Sequence, residues 1–282
     1  MHEHSAPLRA RLHYLQLGSS DPERLARFYA QVFGMSVQQR AGDWMCHGPD
    51  KCLVFSLEEP NSLLRVGYAA ADEAVLHGLR VRARASLAEP TSVDSHLFKP
   101  GAIAFHDPDG NLVAYGVPTP SAPALPSIDT PKARLQHVVV GSTDVGRMVR
   151  FYTTVVGLRE SDEVRDGEGG MRTCFMRSDD EHHSFAVFHT PRNRLDHHCY
   201  ELPDWNAIRD WGDRLATERV PIKWGPGRHG PGNNLFVFFH DPDGNWVELS
   251  AELEVVSGER PVGVWRHEER TLNSWGRGLL RS

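Results

Sequence analysis

Apolar and polar positions follow the same pattern in two separate parts of the chain. The segment 12–35, LHYLQLGSSDPERLARFYAQVFGM, returns as 135–158, LQHVVVGSTDVGRMVRFYTTVVGL. Later, 105–116, FHDPDGNLVAYG, returns as 239–250, FHDPDGNWVELS. Because self-similarity on this scale indicates repeated structural units, the chain is predicted to consist of two homologous halves.

Each half is predicted to begin with a strand that leads into an amphipathic helix. In the first half Asp21 is the expected N-cap and Pro22 lies in the first turn. Asp144 is the expected cap in the second half, and apolar residues recur at helical spacing after both caps. Shorter β-rich stretches and a second strand–helix start follow in each half. The pattern therefore predicts an α+β fold of four βαβββ modules, at roughly 11–58, 62–117, 134–189 and 195–251.

The repeat also predicts the domain organisation. We expect an N-terminal paired-module domain over 1–117, a linker over 118–133 and a C-terminal paired-module domain over 134–251. The linker is rich in proline, serine and alanine, which is typical of a connection between domains. Residues 252–282 lie outside the repeat and are expected to cover a pocket or to contribute to an interface.

Composition narrows the classes of protein to which this chain can belong. Its 282 residues have a net charge of −6 and form no basic stripe, so nucleic acid is not expected as a partner. No apolar run approaches the ~18–20 residues that cross a bilayer, and the N-terminus lacks the apolar core of a secretory signal. The four cysteines form no CxxC pair and are expected to be reduced thiols of a cytoplasmic protein.

Two histidines and one carboxylate in strand-like runs of the second half carry the candidate chemistry. They are His137 in LQHVVVGS, His198 in LDHHCYEL and Glu248 in HDPDGNWVEL. Strand alternation places His198 on the face of Tyr200 and Glu248 on the face of Trp246, so we expect the three side chains to point into one cavity. Two imidazoles and one carboxylate are the donor set of mononuclear non-haem iron sites.

The first half serves as an internal control for this metal hypothesis. Aligning the repeats places Tyr14 opposite His137, Val66 opposite His198 and Ala114 opposite Glu248. If these side chains served only the fold, both halves would need them. The predicted metal site therefore belongs to the C-terminal domain alone, and the N-terminal domain is expected to lack metal ligands.

The motifs LQHVVV, EHHSFAVF, LDHHCYEL, GPGRHGPGNN and FHDPDGNWVELS occur in this order. With them, nearly the whole chain resembles the type I extradiol ring-cleavage dioxygenases of the vicinal oxygen chelate superfamily. The resemblance implies Fe(II), or alternatively Mn(II), held by His137, His198 and Glu248. It also implies O2-dependent cleavage of a catechol-type substrate in aromatic hydrocarbon catabolism, by an enzyme that forms homo-oligomers.

The same resemblance assigns roles to further residues. It implies that His183 is the acid/base histidine and that His229 hydrogen-bonds substrate or oxygen. Phe238 stands where the family usually has a tyrosine, which affects either the rate or the choice of substrate, because a phenyl ring donates no hydrogen bond. Phe238 and Trp246 are the expected substrate contacts. The neighbours in the two histidine pairs, His182 and His197, are predicted to point away from the site.

Two other functions fit the same fold. A glyoxalase-like isomerase or thiol transferase would keep the metal without using oxygen. A protein that sequesters an aromatic molecule between its halves would need neither a metal nor oxygen. The His183/His229 pair favours the dioxygenase over the first alternative, and the ligand triad favours it over the second.

Overall fold

The computed structural model describes residues 8–120 and 130–280, and in these parts the chain forms two large mixed sheets, one in each half. Residues 121–129, which make up most of the predicted linker, lie outside the described residues. The first half contains these elements: β1 Ala10–Ser19, α1 Pro22–Phe33, β2 Ser36–Arg40, β3 Asp43–Gly48, β4 Lys51–Leu57, β5 Leu63–Ala70, α2 Glu73–Ala85, β6 Thr91–Ser92, β7 Ile103–His106 and β8 Leu112–Gly116.

The second half repeats this order of elements and adds a C-terminal extension. Its elements are β9 Arg134–Ser142, α3 Val145–Phe151 with a π-helical turn Tyr152–Val156, β10 Arg159–Arg165, β11 Met171–Arg177, β12 Phe185–His189, β13 Arg194–Leu202, α4 Trp205–Thr217, β14 Trp224–Arg228, β15 Leu235–His240 and β16 Trp246–Ala251. The extension contains β17 Gly263–Arg266 and α5 Glu269–Leu272. The predicted α+β fold of four βαβββ modules is therefore confirmed.

The two modules of each half join through their first strands. The order is β2-β3-β4-β1-β5-β8-β7-β6 in the first sheet and β14-β15-β16-β13-β9-β12-β11-β10-β17 in the second. β1 pairs with β5, and β9 pairs with β13, both antiparallel. The strands that follow in each module lie to either side of this central pair.

The helices begin where the sequence predicts. The carboxylate of Asp21 accepts a hydrogen bond from the backbone N–H of Arg24 at 3.1 Å, and Asp144 accepts one from Arg147 at 2.9 Å. These bonds satisfy N–H groups that the first helical turn leaves without a partner. α1 ends at Gly34, whose φ of 62° is left-handed and favours glycine. No helix in the described ranges is both long and apolar enough to cross a membrane.

A reciprocal pair of hydrogen bonds joins the two halves. Tyr29 of α1 donates to the carboxylate of Asp241 in the second half at 2.9 Å. Tyr152 of the second half donates in the same way to Asp107 of the first half at 3.0 Å. All four residues are buried, so the helices of each half are anchored to the opposite sheet. The repeated FY and HDPDG motifs therefore have a structural explanation.

The C-terminal extension returns to the edge of the second sheet. β17 runs parallel to β10, with Gly263 opposite Asp162. The chain then crosses the end of the sheet near β14, where the carbonyl of Thr271 accepts a hydrogen bond from the N–H of Gly230 at 2.9 Å. This path brings the extension over the open side of the second sheet.

Candidate metal centre

Two of the predicted ligands meet on the concave face of the second sheet. In the strand register His137 lies opposite Cys199, and Cys199 lies opposite Glu248. Directly paired residues project from the same face of a sheet, so the three side chains share one face. The Nε2 atom of His137 lies 3.2 Å from Oε2 of Glu248, and both side chains are buried.

The third side chain of this cluster is His197, and the prediction that His198 faces the cavity is wrong. Nε2 of His197 lies 3.2 Å from the same Oε2 atom of Glu248, and its ring lines the cavity. The imidazole of His198 points to the other face of β13, where Nε2 lies 3.1 Å from the hydroxyl of Tyr29. Burial lowers the pKa of His198 to about 3, so this side chain is a neutral member of the core.

The register of β13 against its neighbours explains why His197, and not His198, faces the cavity. His198 lies opposite Val138 on one side and Val247 on the other, and both valines belong to the main hydrophobic core. His197 is displaced by one position and therefore faces the opposite side. A signal for this arrangement was present in the sequence, because His198 alternates with Tyr200 and Leu202, which are typical of a helix-covered face.

The rings of His137 and His197 are both oriented by partners on their far side. Nδ1 of His137 donates to Oε1 of Gln136 at 2.5 Å, and Nδ1 of His197 donates to Oδ1 of Asp196 at 2.7 Å. These partners leave the lone pair of each Nε2 directed toward Glu248. Metal-binding histidines are commonly held by such outer hydrogen bonds, so the residues present fit a divalent metal ion.

The carboxylate of Glu248 is the negative centre of the cluster. Burial alone would raise its pKa, but the contacts with His137, His197 and His229 outweigh burial and hold that pKa well below its usual value. Asn234 also donates to Oε1 of Glu248 at 3.2 Å. Glu248 is therefore ionised at neutral pH, as a metal ligand must be.

Cys199 is the other nearby donor. In the described part of the chain, His137, Cys199 and Glu248 offer ligand atoms within 4.8 Å of one another. Burial, together with the charge of Glu248, raises the pKa of the Cys199 thiol well above its usual value. A protonated thiol is a poor metal ligand, and the position of Nε2 of His197 beside Glu248 favours His197 as the third candidate ligand.

The cluster opens into a small, mainly aromatic cavity. The apolar wall consists largely of Phe175, Phe188, Trp224 and Phe238. The C-terminal extension covers it with Thr271, Leu272 and Leu279.

The two other predicted histidines also line this cavity. The ring of His183 lies 4.3 Å from that of His137, measured between centroids. Nε2 of His229 lies 3.5 Å from Oε1 of Glu248, while its Nδ1 donates to the carbonyl of Leu272 at 2.5 Å. The extension therefore orients His229 as well as covering the pocket.

The two predicted substrate contacts are placed differently. Phe238 lines the cavity, with its ring centroid 5.3 Å from that of His197. Trp246 packs behind Phe238 at 5.9 Å and is not among the described residues that line the cavity. Trp246 therefore supports Phe238, and its predicted position in the pocket is wrong.

The first half holds different residues at the corresponding positions. In its register Tyr14 lies opposite Gly67, and Gly67 lies opposite Ala114. Counting back two residues from Gly67, as His197 lies two before Cys199, places Arg65 at the third position. Tyrosine, arginine and alanine replace the two histidines and the glutamate, so the two halves also differ at the position of His197.

Comparison with known proteins agrees with this architecture. Residues 134–249 match the family described as the Glyoxalase/Bleomycin resistance protein/Dioxygenase superfamily. This part of the chain is therefore a domain of that superfamily. The matched segment begins at β9 and ends just after Glu248, so it contains the whole ligand cluster.

Three known proteins illustrate the similarity. Metapyrocatechase 2 of Cupriavidus necator is 26% identical over 194 residues, which cover 61% of this chain and 59% of that relative. The Mn(II)-bound glyoxalase of Novosphingobium aromaticivorans is 26% identical with a TM-score of 0.78, over 96% of this chain and 92% of that structure. Homoprotocatechuate 2,3-dioxygenase of Brevibacterium fuscum, in complex with 3,4-dihydroxyphenylacetate, is 20% identical with a TM-score of 0.82, over 97% and 91%. At 20% identity, the similarity to homoprotocatechuate 2,3-dioxygenase shows a shared fold alone.

Proposed function

We propose that this protein is an extradiol dioxygenase that cleaves a catechol-type ring with O2, using a divalent metal held by His137, His197 and Glu248. The observation that carries the proposal is the position of two Nε2 atoms at 3.2 Å from one carboxylate oxygen, inside an aromatic cavity. The relative named metapyrocatechase supports the same reaction class.

The donor set suits Fe(II) and also accepts Mn(II), since two imidazoles and a carboxylate do not discriminate strongly between them. We propose Fe(II) as the working metal and Mn(II) as the alternative, which the manganese-bound structural relative supports. When bound, the metal supplies a Lewis-acidic, redox-active centre with coordination positions that the three protein ligands leave open.

His183 is the proposed acid/base residue. Burial, reinforced by the neighbouring His137 and His182, holds the pKa of His183 well below its usual value. The imidazole is therefore neutral at physiological pH and accepts a proton from a catechol hydroxyl in the cavity. The same ring then returns that proton to the product.

The remaining lining residues position the substrate and exclude water. His229 has Nδ1 fixed by the carbonyl of Leu272, so its Nε2 remains for a polar contact beside Glu248. Phe238 and the other aromatic walls offer faces and edges on which a catechol ring packs. Because Phe238 carries no hydroxyl, orientation of the substrate depends on the histidines.

A metal-dependent reaction without oxygen is the second candidate, because a structural relative is named a glyoxalase. The cluster argues against this candidate through its composition: it has one carboxylate, with His183 and His229 beside it. A sequestering protein without metal is disfavoured by the outer hydrogen bonds that orient both ligand rings. All four cysteines are free and buried, which supports the proposed reducing, cytoplasmic environment.

Oxygen uptake tests the proposal directly. The protein is loaded anaerobically with Fe(II) or Mn(II) and mixed with a panel of catechols, while the yellow ring-opened product is followed by absorbance. Oxygen consumption with stoichiometric yellow product is the expected result. Tight metal binding without oxygen uptake on any catechol, combined with turnover of a thiol adduct, would assign the glyoxalase-like function instead.

A further inference from the structure

A row of buried polar side chains runs from the cavity to the C-terminal extension. Nδ1 of His183 lies 2.9 Å from Nδ1 of His182. Nε2 of His182 lies 3.2 Å from Oδ2 of Asp162, although the approach is oblique to the direction of an Nε2–H bond. Their exposed fractions are 3%, 0% and 2%, so water does not compete for these contacts.

The extension holds the carboxylate at the end of this row. The indole N–H of Trp265 donates to Oδ2 of Asp162 at 2.8 Å, and Arg260 donates to Oδ1 at 3.0 Å. Gly263 lies opposite Asp162 in the strand pair, and a Cβ at position 263 would overlap the carboxylate. Only glycine at this position leaves room for the side chain of Asp162. The nearest other carboxylate is Glu254, whose Oε2 lies 4.0 Å from Nε2 of His182.

The positions of the protons along this row follow from the groups that flank it. A carboxylate accepts and does not donate, so it favours the tautomer of His182 that carries its proton on Nε2. Nδ1 of His182 is then an acceptor and requires a proton on Nδ1 of His183. Nε2 of His183 is left with a free lone pair, which is the form that a proton acceptor in the cavity needs.

Protonation of the carboxylate is also opposed by its surroundings. Burial alone would raise the pKa of Asp162, but the contacts with His182, Trp265 and Arg260 outweigh burial and lower it. The acceptor at the end of the row is therefore ionised at neutral pH.

The first half has no such row at the corresponding positions. The positions of the first half that are equivalent to Asp162, His182 and His183, counted along the paired strands, hold Gln38, Asp50 and Lys51. The row therefore occurs in the half that contains the ligand cluster, as the ligands themselves do.

We propose that Asp162 and His182 are positioning residues that set the tautomer of His183, and that the C-terminal extension completes them through Trp265 and Arg260. The effect of this arrangement on catalysis rests on the proposed function, whereas the tautomer of His183 depends only on the folded chain. The extension then has a second role besides covering the pocket, because it holds the carboxylate that directs the lone pair of His183 into the cavity.

The tautomer is measured by long-range ¹H–¹⁵N spectra of histidine-labelled, Zn(II)-loaded full-length protein, with the His183→Asn variant used for assignment. In the wild type the proton of neutral His183 is expected on Nδ1. Asp162→Leu keeps a similar side-chain shape but offers no acceptor to His182, so it should allow the His183 proton to move to Nε2. Glu163→Leu is the matched control, because Glu163 lies next in β10 and pairs with Arg165 at 2.6 Å. A His183 proton on Nε2 in the wild type, a doubly protonated His182, or an unchanged spectrum in Asp162→Leu would overturn the proposal.

A second pair of variants separates the tautomer from packing. Asn at position 182 offers an amide oxygen near the place of Nδ1 and still accepts from His183, whereas Leu has a similar size and accepts nothing. His182→Asn should therefore keep the wild-type tautomer and His182→Leu should lose it. Equal spectra for His183 in the two variants would contradict the proposal.

Kinetics connect the tautomer to the reaction. Asp162→Leu and His182→Leu should lower kcat by about tenfold or more, as loss of an outer hydrogen bond commonly does, with metal content and catechol KM unchanged. In a His183→Asn background Asp162→Leu should cause no further loss, while an additive loss would show that Asp162 does not act through His183. If the wild type cleaves no catechol but the spectra behave as expected, the proposed function fails and the tautomer assignment stands.

Discussion

The hydroxyl of Tyr29 lies 3.1 Å from Nε2 of His198, across the contact between the two halves of the chain. The adjacent His197 faces the opposite side of the same strand and lies 3.2 Å from the carboxylate of Glu248. One residue of the pair thus belongs to the core between the halves, and the other belongs to the cavity. The same dipeptide supports both the fold and the proposed metal site.

Exchanging the two histidines one at a time separates these roles. His197→Ala should lower the affinity for Fe(II) by more than about 100-fold, since it removes a ligand and not only an outer partner. His198→Ala should keep stoichiometric metal and lower the free energy of unfolding by about 1–3 kcal/mol, because Tyr29 loses a buried partner. Metal content after gel filtration and urea unfolding measure the two effects. The reverse pattern would show that His198 is the ligand.

The outer partners of the ligands should influence metal affinity without touching the metal. Asp196→Asn and Gln136→Leu are each expected to weaken binding by roughly 10- to 100-fold, because the rings of His197 and His137 lose their fixed orientation. Competition with a chelator measures the dissociation constant. Asp210→Asn is the control, since Asp210 is exposed on α4 and pairs with Arg209. Equal affinities in all variants would remove the outer hydrogen bonds from the account of the site.

Phe238 tests how the pocket orients its substrate. Phe238→Tyr places a hydroxyl in a wall that packs against His197 and Trp224. We expect this donor to change kcat/KM for at least some catechols by about fivefold or more, which corresponds to roughly 1 kcal/mol for one hydrogen bond. Oxygen uptake across the substrate panel reports the change. If rates and preferences stay the same while the variant folds and binds metal, position 238 acts only through packing.

The reciprocal tyrosines should contribute separately to stability. Tyr29→Phe and Tyr152→Phe each remove one buried hydrogen bond to a carboxylate, at Asp241 and Asp107, and should each lower the free energy of unfolding by about 1–3 kcal/mol. Because the two bonds lie in different pairs of elements, the double variant should show the sum within about 0.5 kcal/mol. Urea unfolding measures all three variants. A double variant no weaker than either single variant would mean that the two contacts act as one unit.

Asp241 predicts a specific dependence of stability on pH. Burial raises its pKa to about 6, so between pH about 4 and 6 the folded state binds a proton more tightly than the unfolded chain. The contribution of Asp241 to stability is therefore fully present below this window. It falls as the pH rises through the window and is lost above pH about 6. The difference amounts to ~3 kcal/mol, since each pKa unit corresponds to about 1.4 kcal/mol. Asp241→Asn should flatten this part of the curve measured by urea unfolding, whatever its effect on absolute stability, and an unchanged slope would contradict the assignment.

Much of the fold could be predicted from the sequence because its signals are local or repeated. The caps at Asp21 and Asp144 act within one helical turn, and they lie where the pattern placed them. The four modules follow from repetition of the pattern, which needs no knowledge of how the strands pair. His137, Glu248, His183 and His229 all reach one cavity, as expected from the motifs that contain them.

The sequence by itself determined the repeat, the modules and the restriction of the ligand cluster to the second half. Only the tertiary structure decided which member of the pair His197–His198 enters that cluster. Alternation along a strand shows which of its residues share a face, but it does not show which face meets a neighbouring strand. That choice depends on the register of β13 against β9 and β16, which places Cys199 between His137 and Glu248. The packing of Asp162 and the extension against His182 is likewise a long-range contact, so it too was set by the fold and not by local sequence.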